Sequence, residues 1–224
     1  MELSKRLSLI ATMINEGSSV CDVGTDHGYL PAFLYLSGKY KSVCATDINQ
    51  KPLDSARKNL ERLGAGGVRL VLCDGLASIT RQDADTVIVA GMGGEVISGI
   101  ISRADFLRDN TVEIIMQPTT AAKELRHFLS QNGFLVEIEL PLQENGKIYS
   151  VMKARYTGKP YSLSNEQSVI GILKPDSDDA IQYIQKQYKI ALKCADSLKD
   201  VSHKQDEYKY YLELSNNLKN ILGV

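Results

Sequence analysis

The chain of 224 residues has no C-x-x-C pair, no apolar run near the ~20 residues that a bilayer helix needs, and almost no net charge. Its four cysteines therefore give neither a structural zinc site nor a disulfide framework, and no metal is expected. Cys21, Cys44 and Cys73 lie near the ends of apolar runs, where cysteine acts as a small hydrophobe, and Cys194 sits in a helical stretch. A reduced, cytoplasmic setting is expected. A formal charge of −1 does not announce a nucleic-acid partner, so RNA binding would need a local basic patch. No internal repeat or low-complexity segment stands out. The opening MELSKRLSLIATMINEG lacks an apolar signal core and reads as an amphipathic helix, with Leu7, Ile10, Ala11 and Ile14 at helical spacing. No membrane association is expected.

What is present is an ordinary globular composition, 43% hydrophobic and 24% charged. From Ser18 to about Arg155, apolar strand-like runs alternate with helical segments. The runs are 19–23, 42–47, 68–74, 85–91, 112–117, 134–140 and 147–155; helices are expected over 29–37, 52–63, 94–103 and 120–131. The early runs are continuously apolar, as in parallel strands covered on both faces. The last two are separated only by PLQENG, too short for a crossover, so they should form an antiparallel hairpin turning at Asn145-Gly146. A doubly wound α/β sheet ending in such a hairpin is the pattern of Rossmann-like class I methyltransferases.

Strands stop after about Tyr156, which divides the chain into an α/β domain, 1–157, and a helical extension, 158–224. Ser164 and Gln167 could form a capping box for a short helix ending near Leu173. A long helix should follow Pro175, with Asp176, Asp178 and Asp179 near its N-terminus. Ile181, Ile184, Tyr188, Ala191, Ala195 and Leu198 trace one stripe along it. Tyr211, Leu214, Leu218 and Ile221 trace a second stripe on a last helix, suggesting an antiparallel, coiled-coil-like pair.

Ligands of open α/β sheets bind beyond the C-terminal strand ends, and these ends carry unusual residues. Asp22-Val23-Gly24-Thr25-Asp26-His27-Gly28 can turn tightly and offer amides, but its spacing is not the G-x-G-x-x-G of nicotinamide enzymes. Asp47, about 20 residues further on, can take both hydroxyls of a ribose, or be a solvated turn residue. Asp74-Gly75 could accept from an adenine amine or be a common Asp-Gly turn. Gly91-Met92-Gly93-Gly94 leaves little side-chain bulk, whether for a ligand or merely for a tight loop. It lacks the Asn-Pro-Pro-aromatic motif of many amine methyltransferases. His127 and His203 read as surface residues. His27 lies in the candidate site, where capping or packing competes with a chemical role.

The motifs CDVGTDHGYLP, ATDIN, CDGL, AGMGGE and QP, followed by NGKIYSV, resemble those of the bacterial tRNA adenine-N1-methyltransferases that modify position 22, across about residues 1–155. The resemblance implies S-adenosyl-L-methionine held by Asp22, Gly24, Thr25, His27, Gly28, Asp47, Ile48, Asp74, Gly75 and the loop Gly91, Met92, Gly93, Gly94. It implies Asp26 as the contact to the target base. The stretch Gln117-Pro118-Thr119-Thr120 departs from the Q-P-Asn form of the family, and Gln117 is a candidate for the base edge.

Adenine N1 attacks through an in-plane lone pair, so alignment and charge stabilisation are what the protein is expected to supply. Lysines Lys186, Lys189 and Lys193 share one helical face and, with Lys5 and Arg6, are the candidate tRNA contacts; a merely solvated face is the alternative. The partner expected is tRNA, with the chain monomeric and a dimer left open. Competing readings are a nicotinamide-dependent oxidoreductase, a small-molecule methyltransferase and a non-catalytic RNA-binding relative.

Overall fold

The computed structural model describes residues 2–223. The α/β region runs α1 (Lys5–Thr12), β1 (Ser19–Val23), α2 (Tyr29–Ser37), β2 (Ser42–Asp47), α3 (Gln50–Leu63), β3 (Arg69–Leu72) and β4 (Thr86–Gly93), then α4 (Gly94–Ser102), β5 (Glu113–Thr120), α5 (Ala122–Gln131), β6 (Phe134–Glu144) and β7 (Lys147–Tyr156). The helical extension holds α6 (Asn165–Ile170), α7 (Asp178–Leu198) and α8 (Gln205–Leu222).

The seven strands form one sheet in the order β3-β2-β1-β4-β5-β7-β6. β3, β2, β1, β4 and β5 are parallel, whereas β7 is antiparallel to both β5 and β6. This is the mixed Rossmann-like architecture expected from the sequence. The order reverses between β1 and β4, and that switch point opens the crevice in which such sheets bind ligands.

Burial explains why the central strands are apolar throughout. Val87, Val89, Ile114 and Met116 pack on one face with Ile97, Ile101, Leu125 and Leu129. Their neighbours Ile88 and Ile115 pack on the other with Ile10, Leu30, Leu34 and Leu60. Successive side chains of a strand point to opposite faces, so a strand covered twice is apolar at every position.

Several expected boundaries shift. β3 is shorter than 68–74 because turns flank it, the Val68 N–H bonding the Ala65 carbonyl before it and the Ala77 N–H the Asp74 carbonyl after it, while β4 and β5 extend beyond Gly91 and Gln117 through a bulged register at Ala90–Gly93. The hairpin turns at Asn145 and Gly146, with φ of 51° and 71°, the paired positive values of a primed two-residue turn. Ser164 and Gln167 form the capping box. The short helix stops at Ile170, before Leu173, and Asp176 lies outside the cap of α7, which Ser177 supplies.

The two stripes meet as a packed pair: Ile184, Ala191, Leu214 and Leu218 form a small core with Ile170, Leu173 and Tyr183. Tyr183 lies outside the sequence stripe because it faces the α/β region, where its hydroxyl accepts from Arg126 Nη2 at 3.1 Å. No described helix is long and apolar enough to cross a membrane.

Candidate active site

The strand alternation that builds the core also selects which polar residues enter the crevice. Val20 packs on the α1 side of the sheet, so Asp22, two residues on, faces the same way. The same parity carries Ile88 to Ala90 on β4 and Ile115 to Gln117 on β5. Across these strand ends lies α1, begun by Ser4 as its cap and anchored at its far end by the buried Lys153, whose Nζ donates to the Met13 carbonyl at 3.0 Å. Arg6, Leu7, Asp22, Gly24, Thr25, Asp26, His27 and Ala90 are among the residues that enclose a cavity of about 160 Å³.

Arg6 is the polar centre of this wall. Its Nη1 donates to Gln117 Oε1 at 3.2 Å, and its backbone N–H donates to Glu144 Oε1 at 3.0 Å. Its Nε is buried without a hydrogen-bond partner. Asp22 is buried, and burial pushes its carboxyl up to about 7, while the Thr25 hydroxyl and the Arg6 charge favour the ionised form. Thr25 Oγ1 is itself buried, and its one neighbour for a hydrogen bond, the Asp22 carboxyl, lies outside good geometry. Arg6 Nε has only the Glu144 carboxylate 4.0 Å away, and these under-satisfied atoms beside a buried carboxyl mark a place suited to a polar ligand.

The glycines give the cavity its shape. Gly24 has φ of 74°, and a Cβ there would overlap the terminal methyl of Met92. Gly91, with φ of 80°, would bring a Cβ to 3.0 Å from Arg6 Nη1. Gly24 and Thr25 both donate from the backbone to the Thr46 carbonyl, at 2.8 and 3.1 Å, which ties the first loop to β2. Gly28 caps α2 in the left-handed conformation without a side-chain cap, leaving first-turn amides for an anionic group. Gly94 serves packing instead, since a Cβ there would run into the Ala121 carbonyl; its absence lets α4 approach α5.

Asp47 accepts from the Asn49 N–H at 2.9 Å on Oδ1, its Oδ2 has no hydrogen bond among the described residues, and Ile48 beside it is 61% exposed. Asp74 pairs with Arg103 Nη2 at 3.2 and 3.3 Å, and Gly75 accepts from Thr46 Oγ1 at 2.9 Å. These residues stand at the ends of β2 and β3, beside the cavity rather than around it. Asp26, at φ of 47°, projects into solvent with its Oδ2 3.6 Å from His27 Nε2.

The remaining candidates separate. Gln117 is fully buried, its Nε2 donating to the Pro118 carbonyl at 2.9 Å and its Oε1 held by Arg6, so it meets the crevice through Arg6. Arg6 itself is a wall of the pocket, while Lys5 is exposed. Lys186, Lys189 and Lys193 line one face of α7. Among the described residues no cluster of histidine, cysteine, aspartate and glutamate suits a metal ion.

Such a sheet, with glycine loops at its switch point and a terminal hairpin, defines a class I methyltransferase fold. The family model of the methyltransferase domain matches residues 3–152. The tRNA (adenine(22)-N(1))-methyltransferase of Bacillus subtilis is 33% identical over 155 residues, 69% of this chain and 65% of that enzyme. The chain thus spans a little under two thirds of that curated relative's length in the match. A Streptococcus pneumoniae protein assigned as a tRNA (m1A22) methyltransferase superposes with a TM-score of 0.84 at 30% identity, covering 99% of this chain and 100% of that one. That protein is also known in complex with S-adenosyl-L-methionine, in a structure matching with a TM-score of 0.82 at 30% identity and the same coverage. The chain belongs to the tRNA (adenine-22, N1) methyltransferase family.

Proposed function

We propose that this chain transfers a methyl group from S-adenosyl-L-methionine to N1 of adenine 22 in tRNA, acting in the cytoplasm. The observation that carries the reading is the junction of the Asp22–Gly28 loop with the Gly91–Gly94 loop under α1. There Gly24, the buried Thr25 hydroxyl and Asp22 line one cavity with Arg6, which Gly91 approaches closely. They fit a cofactor with a cationic amino-acid end, which Asp22 and the α2 amides would hold between them. Asp47 suits a ribose, and Ile48, Asp74 and Gly75 suit the adenine edge and face. When bound, S-adenosyl-L-methionine supplies an electrophilic methyl on a sulfonium.

The residues then divide the work among base contact, positioning and tRNA binding. Asp26, exposed at the mouth of the crevice, accepts a hydrogen bond from the adenine N6 amine and stabilises the positive charge that the ring acquires. Adenine N1 needs no prior deprotonation, so no strong general base is required. Gln117 holds Arg6, and Arg6 keeps charge beside Asp22, which makes both positioning groups. N1 lies on the Watson–Crick edge, so the base must leave the stack at a cost of a few kcal/mol, which contacts elsewhere on the tRNA must offset. Lys186, Lys189 and Lys193 on α7, with Lys5 on α1, provide cations for backbone contact. The catalytic region ends near 157, and the extension from 158 serves the tRNA.

The test incubates the protein with unmodified tRNA and cofactor and maps reverse-transcription stops. N1-methyladenine blocks pairing, so extension should halt at position 22. Extension through that position, with cofactor binding intact, rules the reading out. Truncation after residue 157 separates this function from small-molecule methylation, because only the tRNA reaction should depend on the helical arm.

A further inference from the structure

A larger cavity, about 310 Å³, lies where the arm meets the α/β region. It is within the range of small-ligand sites. Its floor comes from the β5–α5 junction and β7, its wall from α7 and α8. It starts at Pro118–Thr120, one residue past Gln117, and Thr119 Oγ1 donates to the Met92 carbonyl at 3.1 Å. The cavity is therefore joined through Thr119 to the loop that shapes the crevice. At its other end, Lys186 and Ile190 belong both to this cavity and to the lysine face that continues through Lys189 and Lys193.

Its tyrosines fall into two sets. The Tyr183 hydroxyl accepts from Arg126, and the Tyr210 hydroxyl accepts from Lys123 Nζ at 3.1 Å, with that ammonium 5.2 Å from its ring centroid. Tyr149 and Tyr211 line the cavity half-exposed, and their hydroxyls make no hydrogen bond among the described residues. Ile190, 47% exposed, adds apolar surface. Lys123 and Lys186 bring positive charge to the lining, Arg126 is committed to Glu139, and Glu124 is the opposing carboxylate. Aromatic surface beside ammonium groups, continuous with a basic face, suits an unstacked base and its phosphate.

We propose that this cleft is a nucleotide subsite of the tRNA complex, stacking one unpaired nucleotide that flanks the methylated adenosine. The proposal rests on the tRNA reading above and adds to it the place where the flanking strand is gripped. Holding a neighbouring nucleotide out of the helix would lower the penalty for extruding the target base.

The experiment measures KM and kcat on unmodified tRNA, tRNA affinity across a salt series, and cofactor affinity by calorimetry. The variants are Tyr149→Ala, Tyr211→Ala, their phenylalanine counterparts and Ile190→Asp. Loss of a stacked base is expected to weaken tRNA binding by roughly 5- to 150-fold, from the ~1–3 kcal/mol of base–aromatic stacking. That loss should appear in KM, with phenylalanine restoring wild-type behaviour and cofactor affinity unchanged. Ile190→Asp, on an exposed helix face, should weaken tRNA binding without disturbing the fold, which covers the case of a tyrosine variant that fails to fold. Wild-type tRNA affinity in the alanine and Ile190→Asp variants overturns the subsite while leaving the methyltransferase reading standing. Equal losses for alanine and phenylalanine also overturn it, since stacking would survive in the latter. Wild-type protein that leaves adenine 22 unmethylated overturns both.

Discussion

Arg126 of α5 and Glu139 of β6 form an ion pair of 2.6 Å with side chains only 3% and 0% exposed. The guanidinium also donates to the Ser168 and Val169 carbonyls of α6, to Ser150 Oγ and to the Tyr183 hydroxyl of α7. Glu139 Oε2 accepts from the Ile172 N–H at 3.2 Å. Burial opposes the charge on Arg126, yet Tyr183 and Glu139 more than offset it and hold the group protonated. One cluster thus joins the α/β region to α6 and α7. Replacing one partner, as in Glu139→Gln or Arg126→Met, strands a buried charge or polar group and should cost about 3–5 kcal/mol in denaturant unfolding. Replacing both with apolar residues should cost less than the sum of the single changes. Additive losses would mean that the two do not act as a pair.

In the proposed site, Asp22 should make cofactor binding depend on pH. Its carboxyl stands at about 7 because it is buried, against 3.8 ordinarily. The folded chain thus holds a proton that the unfolded chain releases, and this contribution to stability is full below about pH 4 and lost as pH rises through 7. A cationic ligand group favours the ionised form, so cofactor binding at pH 6 should expel a proton and tighten as pH rises, levelling off above about 7.5. Calorimetry at pH 6 in buffers of different ionisation enthalpy measures the proton directly. Asp22→Asn should abolish both the release and the pH dependence.

Gly24 should tolerate no side chain. Alanine at φ of 74° costs about 1–2 kcal/mol in backbone strain, and its methyl would displace Met92. Cofactor affinity should fall at least about tenfold in Gly24→Ala, with partial recovery on adding Met92→Ala, since the second change removes the overlap and leaves the strain. An unaltered dissociation constant in the single variant would take this loop out of the cofactor site.

Asp26 is exposed at the mouth, where its carboxylate can meet a base without supporting the fold. Asp26→Asn should lower the single-turnover rate on tRNA by roughly 10- to 100-fold, the scale of a hydrogen bond to a charged group, while cofactor binding stays unchanged. A near-normal rate would remove Asp26 from the reaction.

Lys189 and Lys193 should contribute to affinity through phosphates. Lys189→Glu with Lys193→Glu should weaken tRNA binding and reduce the slope of log K against log salt by about 1.5, the effect of losing two phosphate contacts. An unchanged slope would leave these lysines as a solvated face.

The sheet, the hairpin and the two helical stripes were legible in the residues alone. These follow from local alternation, from a turn with two positive-φ positions and from 3.6-residue periodicity, all written within short windows. The sequence also marked Asp22, Gly24, Asp47 and Gly91, because strand ends and glycines are visible in one dimension. What stands over them is set by contacts between distant segments. Arg6 meets Gln117 across 111 positions and Glu144 across 138, and no local pattern pairs residues at such distances. Gln117 is a candidate for the base edge in sequence through the Gln117-Pro118 motif; strand parity and α1 bury it behind Arg6. The Arg126 cluster and the tyrosine-lined cleft arise from the docking of α7 on β6 and β7. Docking is a property of packed surfaces, and a helix stripe read from sequence shows that a face is apolar without showing what covers it.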